Sequence, residues 1–361
     1  MHLMTEIETE IEPHHRPCCR TEDVNDAAQV CHRLGIPHYV LNFEPLFKEY
    51  VINPFFAEYV HGRTPNPCLA CNRVVKYDAL LRRAAALGAD YVATGHYARI
   101  DRPQGDYRLL RAKDPAKDQS YVLYDLTQAQ LGQILLPIGG HTKTEVRQMA
   151  REFGLPNADK RDSQEICFIP DGDYRRFVSE RVQAPPGDIV DAGGRVLGRH
   201  RGLPYYTVGQ RQGLGIATGE AMYVIDLDTV ANRLVVGGRE ELLAPALWAS
   251  QSCFVAGQPP AGATEVRARI RYRGPEARAR LTMVDGWCHV AFAEPQRAVT
   301  PGQAVVFYRG DEVLGGATIE AVAREEAGLS AGPTHRAGLG TASSRQNGMT
   351  HRARALKGVT A

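Results

Sequence analysis

The chain has 361 residues, which is enough for two or three domains, and its 43% hydrophobic and 23% charged residues are typical of a globular protein with apolar cores. No run of about 18 apolar residues occurs, and the acidic N-terminus lacks the basic and apolar regions of a signal peptide, so the sequence predicts a cytoplasmic protein without a membrane span. The net charge of +2 gives no overall indication of a nucleic-acid partner.

Predicted helices and short apolar strands alternate in the first half of the chain. The helix predicted for residues 21–35 ends at Gly35, and a strand is predicted at residues 36–43. A second helix is predicted at residues 76–89, followed at residues 90–100 by a strand that ends in a Gly-His turn. This alternation predicts an α/β domain with a doubly wound parallel sheet, in which ligands bind beyond the carboxyl ends of the strands.

A change of fold is indicated after a further helix predicted at residues 142–154. A loop with Cys167 follows, and then a stretch rich in proline and glycine at residues 183–198. From about residue 246, apolar and polar residues alternate in short runs separated by glycine and aspartate, which predicts a small antiparallel barrel or sandwich. The tail from residue 327 lacks acidic residues and has few large apolar ones, so we expect it to be disordered.

Two of the eight cysteines, Cys68 and Cys71, lie close together in the stretch TPNPCLACN. A C-x-x-C pair in a reducing compartment is typical of half a zinc site, a redox pair or a nucleophile. No second C-x-x-C completes a zinc site, and the spacing alone leaves catalysis or metal binding and a structural role equally open. Cys167 lies near Lys160 and Arg161, which could lower its thiol pKa, although its pattern alone favours a buried loop cysteine.

Two polar features are candidates for nucleic-acid binding. Lys117, Asp118 and Gln119 precede an apolar run, where they could either cap a helix or contact phosphates and base edges. Arginines at every second position predict a basic face that continues from one strand to the next. Such a face could bind the phosphate backbone of a nucleic acid, or it could simply be a charged surface exposed to solvent. These arginines are Arg267, Arg269, Arg271, Arg273, Arg278 and Arg280.

Six ordered blocks of the sequence resemble those of the tRNA-specific 2-thiouridylases, which place sulfur on C2 of the wobble uridine of tRNA. The blocks are GRTPNPCLACN, DYVATGHYAR, KDQSYVLYDL, DSQEICFIP, YYTVGQRQGLGI and TPGQAVVFYRGDEVLGGATI, and the resemblance extends over residues 1–319. It implies a catalytic domain of the ATP-pyrophosphatase type at residues 1–170, a central domain at 171–245, a C-terminal β-barrel at 246–322 and a disordered basic tail at 323–361.

The resemblance also implies a reaction and the residues that perform it. ATP adenylates the uracil C2 oxygen, a persulfide on Cys167 delivers the sulfur, and Cys71 attacks that persulfide or its product to give a transient disulfide with Cys167. Gly95 and Met1 match nucleotide-contacting positions, and Mg²⁺ is expected with the ATP. The implied partners are tRNA and a sulfur-donor protein. The positions that match tRNA contacts are His96, Lys117, Asp118, Gln119, Arg271, Tyr272 and Gln303.

Two differences from the family pattern change these expectations. The chain lacks the Ser-Gly-Gly-x-Asp-Ser-Ser loop that holds the ATP pyrophosphate, so a late start is the simplest interpretation, and we expect feeble ATP-dependent thiolation or a tRNA-binding remnant. Many members have an acidic residue where Cys68 stands. Cys68, Cys71 and Cys167 therefore form an alternative ligand set for a 4Fe–4S cluster, in which a cluster-bound sulfide would replace the persulfide.

Overall fold

The structure is a computed structural model. It describes residues 2–4, 21–103, 105–160, 166–169 and 172–323. Met1 and the tail beyond residue 323 lie outside the described residues, so the nucleotide contact and the disorder expected there stay predictions. None of the helices in the described ranges has the length and hydropathy needed to cross a membrane.

The N-terminal domain has the predicted α/β architecture and begins with a pair of parallel strands. Strand β1 (His2–Met4) pairs with β2 (Val40–Asn42), and helix α1 (Thr21–Leu34) lies between them in the chain. The helix ends at Gly35 as predicted, because glycine adopts the left-handed φ of +66° without the steric cost of a side chain. The strand predicted at residues 36–43 is shorter in the structure.

An unpredicted helical stretch follows β2. It consists of α2 (Glu44–Phe47), a π-helical turn (Lys48–Ile52) and α3 (Asn53–Val60), and both α-helical parts have a proline in the first turn, where no backbone donor is needed. Its buried face packs against the residues that follow Cys167 in the chain. We call the resulting core the aromatic cluster, and its buried members are Phe47, Val51, Ile52, Phe55, Tyr59, Val75, Phe168, Ile169, Phe177 and Val178.

The C-x-x-C pair lies at the start of a long helix that begins earlier than predicted. This cysteine helix consists of α4 (Pro67–Ala70), a π-helical stretch (Cys71–Ala79) and α5 (Leu80–Ala86). The Asn66 side chain caps it by accepting a hydrogen bond from the Cys68 N–H at 3.1 Å. The cap and the proline that follows fix the helix start, so both cysteines lie within its first two turns.

A hairpin of the N-terminal domain extends the C-terminal sheet. After β3 (Val92–Ala93), strands β4 (Ala98–Asp101) and β5 (Arg108–Arg111) form an antiparallel hairpin, and Leu109 of β5 pairs with Val313 of the barrel. The remaining elements before the central sheet are the 3₁₀ turn Ser120–Leu123, α6 (Gln128–Leu131), β6 (Ile134–Leu135), which pairs in parallel with β3, the predicted helix α7 (Lys143–Glu152) and α8 (Tyr174–Ser179).

The central domain contains a four-stranded mixed sheet with the strand order β8-β7-β10-β9. The neighbours β7 and β10 are parallel, whereas the two outer pairings are antiparallel. Buried side chains from this sheet and the loop before β9 form a separate small core. The strands are β7 (Gly187–Asp191), β8 (Val196–His200), β9 (Tyr223–Asp228) and β10 (Arg233–Gly237).

The predicted C-terminal barrel is confirmed as a closed antiparallel structure. Its six strands run in the order β11-β14-β13-β12-β15-β16, and the pairing of β16 with β11 closes the ring. Alternate side chains point inward and fill the barrel, as the period of two predicts. The strands are β11 (Leu243–Phe254), β12 (Thr264–Arg269), β13 (Glu276–Val284), β14 (Trp287–Arg297), β15 (Ala304–Arg309) and β16 (Glu312–Ala323).

The prediction of one continuous arginine face on this barrel is wrong. Strand β12 ends at Arg269, so Arg271 and Arg273 lie beyond it in the connection to β13, where the period of two no longer applies. Acidic neighbours also neutralise part of the face, because Arg269 pairs with Glu276 at 2.6 Å and the Arg280 guanidinium pairs with a carboxylate on β12 at 3.0 Å. The face therefore has less free positive charge than its arginine count indicates.

Candidate functional site

A cleft of about 520 Å³ opens between the carboxyl end of β3 and the connection that follows β12. Its position agrees with the expectation that ligands bind beyond the ends of parallel strands. Four basic side chains contribute to its wall: Lys117, Lys143, Arg269 and Arg273. We call it the basic cleft, and the predicted site residues that line it are Gly95, Lys117, Asp118, Gln119 and Tyr272.

Tyr272 connects the barrel to the cysteine helix at one side of the basic cleft. Burial raises the pKa of the Tyr272 phenol, and the nearby Cys68 thiolate charge raises this pKa further, whereas a hydrogen bond with Gln119 opposes the rise. Gln119 is itself fixed by two hydrogen bonds, because the Tyr97 N–H donates to its Oε1 at 2.9 Å and its own N–H donates to the Tyr97 carbonyl at 2.8 Å. Gln119 and Tyr272 therefore lie together, within the range at which a charge on Cys68 acts on the phenol.

The Asp118 carboxylate is occupied by protein groups. Its side chain is only 4% exposed, and it accepts hydrogen bonds from the Ser120 N–H at 3.2 Å and the Ser120 hydroxyl at 3.0 Å. Arg269 contributes a further contact at 3.4 Å from the barrel. Asp118 thus holds the segment that carries Lys117 and Gln119 against the barrel, and the tRNA contact expected at Asp118 stays a prediction.

His96 lies in the turn that follows β3, and its imidazole is neutral. Burial lowers the pKa of its imidazole to about 3, and the positive charge of Lys76 adds to this effect. Its Nδ1 lies 2.8 Å from the Tyr77 hydroxyl and 2.9 Å from the Thr94 hydroxyl. When one of these hydroxyls donates to Nδ1, the Nε2 proton is left as a donor for a substrate.

The three cysteines of interest differ in their surroundings. Cys68 retains exposed surface, but the protein packed around it raises its thiol pKa, and Lys76 opposes that rise. Cys71 packs against the aromatic cluster, to which Phe168 and Ile169 beside Cys167 also belong, while Cys167 is exposed. None of the described cysteines forms a disulfide.

The ligand set proposed for a 4Fe–4S cluster does not fit the structure. Cys68, Cys71 and Cys167 are all described, yet the described residues contain no group of three or more His, Cys, Asp or Glu side chains that could hold a metal ion. A cluster site needs its three thiolates to converge on one point.

The barrel also holds the loop that leads to the cysteine helix. The Gln303 side chain donates from Nε2 to the Thr64 carbonyl at 2.7 Å, and the Thr64 N–H donates to the Pro301 carbonyl at 2.9 Å. Arg271 donates from Nη2 to the Ala298 carbonyl, and burial lowers the pKa of its guanidinium. Gln303 and Arg271 thus make contacts within the protein, and their predicted contacts with tRNA are not tested by this geometry.

Several residues of the site had no signal in the sequence. Tyr77 lies at the start of the helix predicted at residues 76–89 and in the middle of the observed cysteine helix, where a buried tyrosine is usually part of the core, yet its hydroxyl contacts His96. Burial raises the pKa of Tyr77 to about 12, and the charge of Cys71 contributes. Lys143, at the start of α7, lines the basic cleft although its sequence position is far from the other basic residues. Only the fold brings these residues to the site.

The arrangement has two chemical capabilities. A cleft with lysine and arginine side chains can bind an anionic substrate, and a thiol at its side becomes a nucleophile once it is deprotonated. The α/β domain and the closed β-barrel form this cleft between them, and together with the mixed β-sheet domain they define a multidomain enzyme with an anion-binding cleft.

Comparisons with known proteins agree with this class. Residues 1–171 match the family profile "tRNA methyl transferase HUP domain", residues 175–238 match "tRNA methyl transferase PRC-barrel domain", and residues 245–319 match "Aminomethyltransferase beta-barrel domain". The chain is 52% identical to the tRNA-specific 2-thiouridylase MnmA of Moorella thermoacetica over 85% of this chain and 87% of that protein. It is 53% identical to the tRNA-specific 2-thiouridylase MnmA of Carboxydothermus hydrogenoformans over 84% of each.

The chain belongs to the tRNA-specific 2-thiouridylase family. The resemblance found in the sequence is therefore confirmed, together with the α/β, central and β-barrel fold classes. The expectation of a tRNA-modifying transferase is confirmed at the level of the family.

Proposed function

We propose that this protein replaces the C2 oxygen of the wobble uridine of tRNA with sulfur, in a reaction that consumes ATP and uses a cysteine persulfide. The observation that carries the proposal is the common packing of Cys71 and of the residues after Cys167 on the aromatic cluster, beside a basic cleft. Two thiols and an anion-binding cleft are what sulfur transfer to RNA requires. The names of relatives about 50% identical to the chain indicate thiolation.

The basic cleft is the proposed site for the anticodon region of tRNA. Lys117 lines the cleft as a phosphate contact, and Gln119 and Tyr272 lie where a flipped base would approach Cys68. Neutral His96 would donate from Nε2 to the RNA without carrying charge. Arg271 and Gln303 complete the proposed contact set from the barrel side, where they also hold their own loops.

ATP is the proposed co-substrate, and it converts the C2 oxygen of uracil into a phosphate leaving group. Gly95 lies beyond the carboxyl end of β3 in the basic cleft, and the lysines there fit phosphate groups. Met1, the second proposed nucleotide contact, lies outside the described residues. Mg²⁺ is proposed to accompany the nucleotide, bound by its phosphates, since the described residues contain no group of three or more His, Cys, Asp or Glu side chains that could hold a metal ion.

The two thiols divide the sulfur chemistry between them. A persulfide on Cys167 attacks the adenylated C2 and expels AMP, which leaves the base joined to Cys167 through a disulfide. The Cys71 thiolate then attacks the Cys167 sulfur, the S–S bond to the base breaks with its electron pair on the base, and 2-thiouridine is released. A Cys71–Cys167 disulfide remains, which an external dithiol must reduce before a sulfur-donor protein reloads Cys167.

The proposal is tested by single-turnover thiolation of an unmodified tRNA transcript with ATP and a persulfide donor, followed by mass spectrometry of the nucleosides. The expected product is 2-thiouridine at the wobble position in wild type and in Cys31→Ser, a control in α1 away from the site. Cys71→Ser and Cys167→Ser should give none. tRNA binding without product would identify a binding remnant. Because its substrate is tRNA, we place the enzyme in the cytoplasm.

A further inference from the structure

A second cleft, of about 650 Å³, lies between α8 and the central sheet. Four arginines line it: Arg175 and Arg176 from α8, Arg199 from β8, and Arg201 just after β8. None of these residues belongs to the basic cleft or to the contacts that the family resemblance implies. We call it the arginine cleft.

The arginine cleft has a large excess of positive charge. Asp173 is the one acidic side chain in its lining, and it caps α8 by accepting hydrogen bonds from the N–H groups of Arg175 and Arg176. In the part of the chain that the structure describes, Arg199 and Arg201 form no ion pair with a carboxylate. Asp188 stands opposite Arg199 in the register of β7 and β8 without pairing to it. Arg176 does have an acidic neighbour, since its Nε lies 3.9 Å from the Glu180 carboxylate, so the contrast with the barrel face rests on Arg199 and Arg201.

The shape of the cleft suits a chain of phosphates. Its far wall is the loop with Gly213 and Gly215, and the left-handed φ of +75° at Gly213 lets the backbone turn beside Arg175. Tyr205 is fixed there by donating its hydroxyl proton to the Val182 carbonyl at 3.0 Å. Leu214 is the one aliphatic side chain larger than alanine in its lining, and Tyr205 and Tyr206 are the aromatic ones.

The aromatic cluster joins the arginine cleft to the proposed sulfur chemistry. Phe177 of α8 packs against Phe168 with a ring-centroid distance of 5.5 Å, and Phe168 follows Cys167 directly. Tyr174 stacks on Tyr59 with a centroid distance of 5.5 Å. The helix that supplies two of the arginines is therefore packed directly on the segment that carries the sulfur.

We propose that the arginine cleft binds the phosphate backbone of the tRNA substrate on the side of the reacting uridine that faces the central domain. The inference rests on the proposed function, since it assumes that tRNA is the substrate. Bidentate guanidinium groups match phosphates, and protein–RNA contacts are rich in positive charge. A protein partner such as the sulfur donor would need a more apolar core in its interface than this cleft supplies.

The test compares Arg199→Gln/Arg201→Gln with Arg233→Gln/Arg239→Gln, a control that removes the same charge from exposed positions of the central domain outside the cleft lining. Affinity for unmodified tRNA is measured by fluorescence anisotropy over a range of salt concentrations. Loss of two phosphate contacts should weaken binding and reduce the slope of log K against log salt by about two, whereas the control leaves that slope unchanged. Arg201→Gln alone should reduce it by about one.

Three results separate the possibilities. Equal slopes and affinities for wild type and the cleft variants would overturn the inference while leaving the proposed function intact. Unchanged tRNA binding, with thiolation lost when a donor protein supplies sulfur but kept with a small-molecule persulfide, would identify a donor-docking site and also overturn it. A wild type that neither binds nor thiolates tRNA would overturn the proposed function itself.

Discussion

Asp125 should destabilise the folded protein at neutral pH because its carboxylate is buried with little compensation. The residue is 8% exposed, and its Oδ1 has no hydrogen-bond partner among the described residues. Burial raises the pKa of Asp125 from 3.8 to about 6, although the positive charge of Arg73 opposes the rise. The folded state therefore binds a proton that the unfolded state releases between these two values, so stability falls as the pH rises through this window. The rise of this pKa from 3.8 to about 6 corresponds to a loss of about 3 kcal/mol in the free energy of unfolding at pH values above the window.

Replacing Asp125 with Asn removes this ionisation while nearly preserving shape. Urea unfolding across a pH series should show that Asp125→Asn gains up to about 3 kcal/mol over wild type by about pH 7, with a much smaller difference near the unfolded pKa. Asp78→Asn is the matched control, since Asp78 is an exposed carboxylate of the cysteine helix that pairs with Arg82. It should change stability by at most about 0.5 kcal/mol. A difference between Asp125→Asn and wild type that does not vary with pH would refute the reasoning.

Three further variants test the network around the site. The folded pKa of His96 is about 3 against the ordinary 6.5, so its contribution to stability is present above pH 6.5 and lost as the pH falls. In urea unfolding, the free energy of unfolding of wild type should fall by about 2 kcal/mol between about pH 7 and pH 5, whereas that of His96→Gln should not show this fall. A pKa near 6 for His96 in an NMR titration would contradict this. Gln303→Ala removes the hydrogen bond to the Thr64 carbonyl and should lower the free energy of unfolding by about 1 kcal/mol. It should also slow single-turnover thiolation, and an unchanged rate would show that the loop before the cysteine helix is held without this bond. Asn72→Ala leaves the buried Val122 carbonyl without its 2.7 Å donor and should cost about 1–3 kcal/mol in urea unfolding, and wild-type stability would count against that role.

Local patterns predicted much of the fold because the forces that shape it act over short sequence distances. The helix that ends at Gly35 and the strand alternation after residue 246 both follow from one-dimensional periodicity and glycine placement. The cysteine helix begins at Pro67, nine residues before the predicted start at residue 76. The apolar pattern begins only at the later position, whereas the earlier start is set by the Asn66 cap and the proline that follows it. The antiparallel pairing of Leu109 with Val313 joins residues far apart in the chain, and no local pattern encodes such a contact.

Part of the site could be predicted from the residues alone and part only from the resemblance. The pattern marked Lys117, Asp118 and Gln119 as candidates for nucleic-acid binding, whereas the roles proposed for Cys71 and Cys167 came from family blocks, because spacing left the roles of the cysteines open. The wrong prediction of a continuous arginine face has a simple cause: the period of two was extended past Arg269, where the strand ends. The arginine cleft was missed because its lining comes from a helix and a strand that only the tertiary fold brings together.

The measurement that tests the central claim most directly is a disulfide map of the protein after one turnover with unmodified tRNA, ATP and a persulfide donor. Peptide mass spectrometry without reductant should find Cys71 joined to Cys167 in an amount that matches the 2-thiouridine formed, and a persulfide on Cys167 in Cys71→Ser. Thiolated tRNA without that disulfide, or a disulfide between Cys68 and Cys71 in its place, would contradict the division of roles between Cys71 and Cys167.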